Sequence, residues 1–375
     1  MFRFLHTSDL HLGKRFGQMP EELRGRLTEA RHNSIDRLRE VATTNALDTI
    51  LVAGDIFDTE TPSPATVRQA LRSMGESSEI SWYLIPGNHD SLRAEELWSR
   101  VDREHPRNVT LLKEPEQPVA LGPDIVLLPT PCVARRPGRD LTEWMTNAEI
   151  GEGKIRIGLA HGPIQEFGED GGASDVIAPD RTTLSGLDYL ALGDWHGQVR
   201  VNDRTWYSGT PEPDRFKHDA PGQALIVEID APGHIPRVTP VETGRFLWRN
   251  LALHLLVDED AAKRLTQSLA SMEDRRNILL QLAATGRVGL DAKAAIANTA
   301  LQINPDFAWM RYDDTALAIE HRPDDLNVID QAGALRQAAD TLLHEAQDSS
   351  ISSDKARVAE RALSRLYAYS QEYEA

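Results

Sequence analysis

The chain has 375 residues, 40% hydrophobic and 26% charged, an ordinary globular balance in a length that predicts two or three domains. Its formal charge of −17 argues against passive, all-over affinity for nucleic acid, but leaves room for a local basic track or for bound cations that invert the local field. A lone cysteine, Cys132, excludes an intrachain disulfide framework and a cysteine-rich zinc site, and fits a reducing, cytoplasmic compartment.

Beside the apolar run "LLPT", Cys132 reads as a small buried hydrophobe rather than a nucleophile. No apolar run approaches the roughly 18 residues that a membrane span requires. The N-terminus has no basic region leading into a long apolar segment, so neither a secretory signal nor a removable leader is expected.

In chain order, "FRFLHTS" predicts a strand and the segment from Pro20 to Thr44 a long helix, with Leu23, Leu27, Ala30, Ile35, Leu38 and Val41 near helical spacing. "LDTILVAGD" predicts a buried strand, "PATVRQALRSM" a helix and "ISWYLIPGNHD" another buried strand. Asp90 is placed to cap the helix of "SLRAEELWSRV". After "NVTLLKE", the runs "VALGPDIVLLPT", "KIRIGLAHG", "LDYLALGD", "RTWYSGT" and "QALIVEID" predict a strand-rich half. The expectation is an α/β fold of two stacked mixed β-sheets flanked by helices, with a small α+β cap domain and C-terminal helices. The domain boundaries expected are 1–244, 245–327 and 328–375. In the last segment, Leu335, Ala338, Ala339, Leu342 and Leu343 form one apolar stripe, and Val358, Ala362, Leu363 and Leu366 another, separated by "QDSSISSD".

The chemistry-bearing residues sit where apolar strands end: Asp9 and His11 in "SDLHLG", Asp55 and Asp58 in "AGDIFDT", Asn88 and His89 in "PGNHD", His161 in "LAHGP", Asp194 and His196 in "LGDWHG". Alone, each has a plain reading: Asp-x-His as a capping carboxylate with a surface imidazole, Gly-Asp-x-x-Asp as a strand-to-helix turn, His161 as a satisfied histidine. Together they are hard-oxygen and imidazole donors delivered to one sheet edge from several rigid elements, which is what a metal cluster needs. The glycines beside them, among them Gly54, Gly87 and Gly193, permit close backbone approach.

This order of motifs resembles the calcineurin-like metallophosphoesterase superfamily. Within it, "HTSDLHLGKRFG", "AGDIFDTETPS", "PGNHD" and "YSGTPEPDRF" are similar to the SbcD family of DNA repair exonucleases. The resemblance implies two divalent ions, Mn²⁺ foremost, with Mg²⁺, Fe²⁺ and Zn²⁺ as alternatives. It implies Asp9, His11, Asp55 and His196 around the first ion and Asp55, Asn88, His161 and Asp194 around the second. The implied reaction is two-metal phosphodiester hydrolysis, in which coordination lowers a water's pKa by several units from roughly 15.7. His89 would stabilise the phosphate or protonate the leaving oxygen, with Asp58 orienting it or, on the plain reading, capping a helix. The implied setting is DNA repair, with DNA as substrate, an SbcC-like coiled-coil ATPase docked on the tail helices, and a homodimer. Lys14, Arg15, Arg135, Arg136 and Arg139 are candidates to contact DNA phosphates, or are solvated surface cations.

The family's last motif is Gly-His-x-His, and this chain has Gly-Asp-Trp-His. Two divalent ions facing Asp9 and Asp55 keep a surplus of about two positive charges, and an ionised Asp194 lowers it to about one. The change leaves two expectations for Asp194: a ligand that alters metal preference, or a residue that fails to reach and leaves the second ion weakly held. Trp195 is expected to pack beside the site, with base stacking as the alternative. Two further functional readings stand beside the nuclease: a phosphodiesterase or phosphatase for nucleotides or small phosphoesters, and a catalytically weakened structural partner of the ATPase.

Overall fold

The computed structural model describes residues 1–164, 176–257, 259–320, 329 and 333–374. They form two compact units, Met1–Trp248 and Arg249–Ala375. The boundary expected at 327/328 lies outside the described residues.

The first unit opens with β1 (Phe2–Thr7), α1 (Glu21–Thr44), β2 (Thr49–Val52), α2 (Pro64–Gly75), β3 (Ser81–Leu84), α3 (Glu95–Glu104) and β4 (Val109–Leu111). There follow β5 (Val119–Gly122), β6 (Ile125–Thr130), β7 (Ile155–His161), the single-turn α4 (Arg181–Leu184), β8 (Tyr189–Gly193), β9 (Val199–Arg200) and β10 (Thr205–Tyr207). Two antiparallel strands, β11 (Gln223–Ile229) and β12 (Arg237–Glu242), return to the first sheet. The sheet orders are β12-β11-β1-β2-β3-β4 and β5-β6-β7-β8-β10-β9. In the first, β1 to β4 run parallel; in the second, β6, β7, β8 and β10 do.

Strand periodicity explains the layering, because alternate residues face opposite sides of a sheet. Phe4, Leu51, Leu225 and Val227 from one sheet meet Leu127, Ile157, Leu159 and Tyr189 from the other in a core between the sheets. Their neighbours Leu5, Ile50, Val52 and Ile226 point the other way, onto Ile35 and Leu38 of α1, Val67 and Leu71 of α2 and Leu97 of α3. Strands buried on both faces read as continuous apolar runs, which is how "TILV" and "YLALG" are written. The helices begin on ordinary signals: in α2, Ser63 Oγ accepts from the Thr66 N–H and Pro64 opens the first turn.

Asp90 departs from its expected role. α3 starts only at Glu95, behind Ala94. Asp90 is instead fully buried and accepts from the main-chain N–H groups of Phe57 (2.9 Å) and Gly87 (2.7 Å), tying the loop after β2 to the loop after β3.

The second unit holds β13 (Leu247–Leu255), α5 (Ala261–Ser268), β14 (Ile278–Gly289), α6 (Leu290–Ile303) and β15 (Trp309–Glu320), with sheet order β13-β14-β15. α6 is the crossover between the parallel β14 and β15. Helices α7 (Ala334–Gln347) and α8 (Ser353–Glu374) follow, and Ala339, Leu363 and Tyr367 bury with Leu290 and Ile319. Among the described residues no helix is long and apolar enough to cross a membrane.

Candidate metal centre

The parallel strands deliver the polar motifs to one edge, since each of β1, β2, β3, β7 and β8 ends just before or at one. Main-chain bonds then stitch the first two loops together: Asp9 N–H to Gly54 O (3.1 Å), His11 N–H to Asp55 O (2.9 Å) and Leu12 N–H to Ile56 O (2.9 Å). Asp9 (φ 55°), His11 (φ 42°), Asp55 (φ 53°) and Asp194 (φ 102°) all hold positive φ, a conformation non-glycine residues keep only when surroundings over-determine it. Close approach also dictates two glycines. A Cβ on Gly193 would lie 2.0 Å from Ala53 O, and one on Gly87 would lie 2.1 Å from Asp55 Oδ1.

Among the described residues three donor groups result: Asp9, Asp55 and His161; Asp9, His11 and His196; and His11, Asp58 and His89. His161 Nε2 is 3.5 Å from Asp55 Oδ1, and His11 Nε2 is 3.4 Å from Asp55 Oδ2. The Nε2 atoms of His11 and His196 face each other at 3.1 Å. His161 Nδ1 donates to Ala53 O at 2.8 Å, which turns Nε2 toward the carboxylates; Nε2 itself is buried and has no hydrogen-bond partner. Asn88 Oδ1 is buried and unpartnered in the same way.

The charges fit the same picture. Burial, with Asp90 and Asp9 nearby, pushes the Asp55 carboxyl well above the ordinary range, and burial also raises Asp194. Burial opposes charge on His161 too, yet Asp55, Asp9 and Asp194 together hold its pKa up at about 9. A proton is therefore retained beside these carboxylates, where a cation would serve the same electrostatic need. Burial lowers His11 to about 3, so it is neutral and has a lone pair to offer. Orphaned oxygen and imidazole donors around buried carboxylates fit divalent ions.

The remaining expected residues are placed around these donor groups. The Asp58 carboxylate lies 3.4 Å from His11 Nδ1, while it is the Asp58 main-chain carbonyl that accepts from His89 Nδ1 at 3.0 Å. Asp194 lies outside the three donor groups: its Oδ1 accepts from Asn88 Nδ2 at 2.9 Å and stays 3.8 Å from His161 Nε2. Lys14 is drawn inward, with Nζ 2.7 Å from Asp214 Oδ2 and 3.7 Å from Asp58 Oδ1. Arg139 pairs with Glu116 at 3.4 Å on the surface. Arg15, Arg135 and Arg136 are exposed, and the Arg135 charge adds to burial in lowering the pKa of His89. Trp195 packs edge-on to His218 and lies under Lys217 Nζ.

Three further residues belong to the cluster. Asp214, buried in "PEPDRF", accepts from His196 Nδ1 at 3.0 Å and so orients that imidazole. Buried Arg31 on α1 donates to Leu10 O and Glu212 O, both at 2.7 Å, bracing the first loop. Ser8 Oγ donates to Asp9 Oδ2 at 2.5 Å. A charged residue inside the apolar stripe of α1 was the available sequence signal for Arg31; Asp214 had none beyond its place in a motif.

The chain is 29% identical over 290 residues to the uncharacterized metallophosphoesterase YhaO of Bacillus subtilis, covering 72% of this chain and 66% of that protein. It is 38% identical over 93 residues to the D subunit of the nuclease SbcCD of Escherichia coli K12, covering 24% and 22%. It is 27% identical over 252 residues to the DNA double-strand break repair protein Mre11 of Sulfurisphaera tokodaii, covering 64% and 62%. The chain thus spans less than two thirds of the length of these relatives. The family model for the calcineurin-like phosphoesterases matches residues 2–198, which contain every strand-end motif of the cluster, and the chain belongs to that family.

Proposed function

We propose that this chain is a two-metal phosphodiesterase that cleaves DNA, exonucleolytically and with endonuclease activity, in a repair complex with an SbcC-like ATPase. The observation that carries the reading is the convergence of Asp9, His11, Asp55, Asn88, His161 and His196 on one buried, carboxylate-rich strand edge. The DNA substrate is drawn from the partial similarity to the SbcCD and Mre11 proteins. In this reading residues 1–244 are the catalytic domain, 245–327 an α+β cap domain, and 328–375 dock the ATPase in the cytoplasm, with a homodimer as the working form.

Asp9, His11, Asp55 and His196 would hold one ion, and Asp55, Asn88 and His161 the other, so that Asp55 belongs to both sets. Mn²⁺ suits this oxygen-and-imidazole set. Bound divalent ions supply neutralisation of phosphate charge and an acidified water. Asp214 keeps His196 in the tautomer whose Nε2 carries the lone pair. His89 donates Nδ1–H to the Asp58 carbonyl, so the neutral ring presents an acceptor at Nε2. It becomes a donor to the leaving oxygen once protonated, which an arriving phosphate anion favours. Arg135 is the exposed cation with an electrostatic link to His89, and is assigned to a DNA phosphate.

A second reading, a phosphodiesterase for small phosphoesters, stands beside it because YhaO, whose similarity covers more of this chain than that of the SbcCD nuclease, is named as a metallophosphoesterase with no DNA substrate. End-labelled linear DNA and a small chromogenic diester, each with Mn²⁺, Mg²⁺ or Zn²⁺ and with or without a co-purified ATPase, separate the two. The nuclease reading expects DNA cleavage strongest in Mn²⁺. Turnover of the diester with DNA left intact in all three metals supports the second reading instead.

A further inference from the structure

We infer that Asp194 acts on the second ion through Asn88, as a positioning residue that fixes which end of the Asn88 amide faces the cluster. The inference rests on the two-ion reading above. An asparagine amide carries a donor at one end and an acceptor at the other, and its neighbours decide which way it turns. A carboxylate only accepts, so Asp194 Oδ1, 2.9 Å from Asn88 Nδ2, holds the NH₂ end on its own side. That leaves Asn88 Oδ1 buried with no hydrogen-bond partner, in the state of an oxygen awaiting a cation. With the reverse flip, the NH₂ end would take the place of that oxygen, and two oxygens would face each other across the pair.

The backbone explains why the Asp194 carboxylate goes to Asn88 and not to the shared donor group. The Asp194 N–H lies 3.2 Å from both Asp9 oxygens, and its φ of 102° is held by that contact. The main chain of residue 194 therefore faces Asp9, while its Oδ1 reaches Asn88 Nδ2. The group of Asp9, Asp55 and His161 closes without Asp194. A hydrogen bond from the amide to a carboxylate also polarises the amide, making Oδ1 a stronger donor to a cation than an isolated amide oxygen. Asp194 thus contributes to ion binding with its charge one residue removed.

The test is a double-mutant cycle read as Mn²⁺ affinity, by calorimetry and by the free-Mn²⁺ paramagnetic resonance signal, on full-length wild type, D194A, N88A, the double variant and D194N. Wild type is expected to bind two ions. D194A should weaken the second about 10- to 100-fold, as orienting partners of metal ligands do, and leave the first within about twofold. The double variant should bind no more weakly than N88A, because the effect of Asp194 passes through Asn88. D194N should stay within about threefold of wild type, since its own oxygen can still accept from Asn88. A wild type that binds a single ion overturns the two-ion reading and the inference with it. Two ions in wild type, with the double variant about tenfold or more below N88A, overturns the inference alone and makes Asp194 an independent ligand. So does D194A at wild-type affinity, or D194N losing as much as D194A. Should D194A fail to fold, D194N against N88A still tests the inference: loss of second-ion affinity in D194N equal to that in N88A overturns it.

Discussion

At the scale of single residues, the motif positions were legible because each needs only local sequence: a hard donor directly after an apolar strand, with glycine beside it. What was not legible is which atom of each residue does the work. Asp58 offers its carboxylate to His11 and its carbonyl to His89, a division that depends on the rotamer and on the path of the loop. Asp214, 18 residues after His196, reaches it only because the chain returns past β10. Substituting Asp214 therefore gives a sharp expectation. Asp214→Asn should keep the fold, by circular dichroism, and weaken ion binding or hydrolysis about 10- to 100-fold, the usual cost of losing a partner that orients a metal-bound imidazole. Wild-type ion affinity and turnover in that variant would leave His196 oriented by something else.

At the scale of elements, the strands of the first unit were readable from period and apolar content, since parallel strands buried on both faces write themselves as unbroken Val, Ile and Leu runs. Asp90 precedes a helical stretch and has the sequence look of a cap, yet α3 starts only at Glu95 and the Asp90 carboxylate is consumed by two main-chain donors in neighbouring loops. No local pattern carries that information. The strand ends also carry the tightest steric constraint. A methyl group on Gly193 meets Ala53 O, Ser8 Cβ and His161 Nδ1 at once, all within rigid surroundings. Gly193→Ala should therefore cost about 1–3 kcal/mol, as overpacking does, seen as a lower urea midpoint. Because His161 is one of the atoms displaced, ion affinity should fall with it. An unchanged midpoint would mean that the end of β8 is looser than its contacts indicate.

At the scale of the whole molecule, a charge of −17 runs against a phosphate-bearing substrate. The conflict is resolved locally. Asp9, Asp55 and Asp194 gather carboxylates at one strand edge, and divalent ions held there would reverse the sign of the local field. Burial pushes the Asp55 and Asp194 carboxyls up and the same carboxylates raise His161, an electrostatic need that a divalent cation would meet in place of the proton. Divalent ions held there would couple fold to chemistry, because they would relieve the mutual repulsion of Asp55, Asp9 and Asp90. The most direct test is elemental analysis of Mn²⁺-reconstituted protein together with phosphodiester hydrolysis, comparing wild type with Asp55→Ala, the residue proposed to serve both ions. The expected result is about two ions per chain in wild type, fewer than one in the variant, and hydrolysis lost with them. Two ions and undiminished hydrolysis in Asp55→Ala would contradict the assignment of this strand edge as the catalytic centre.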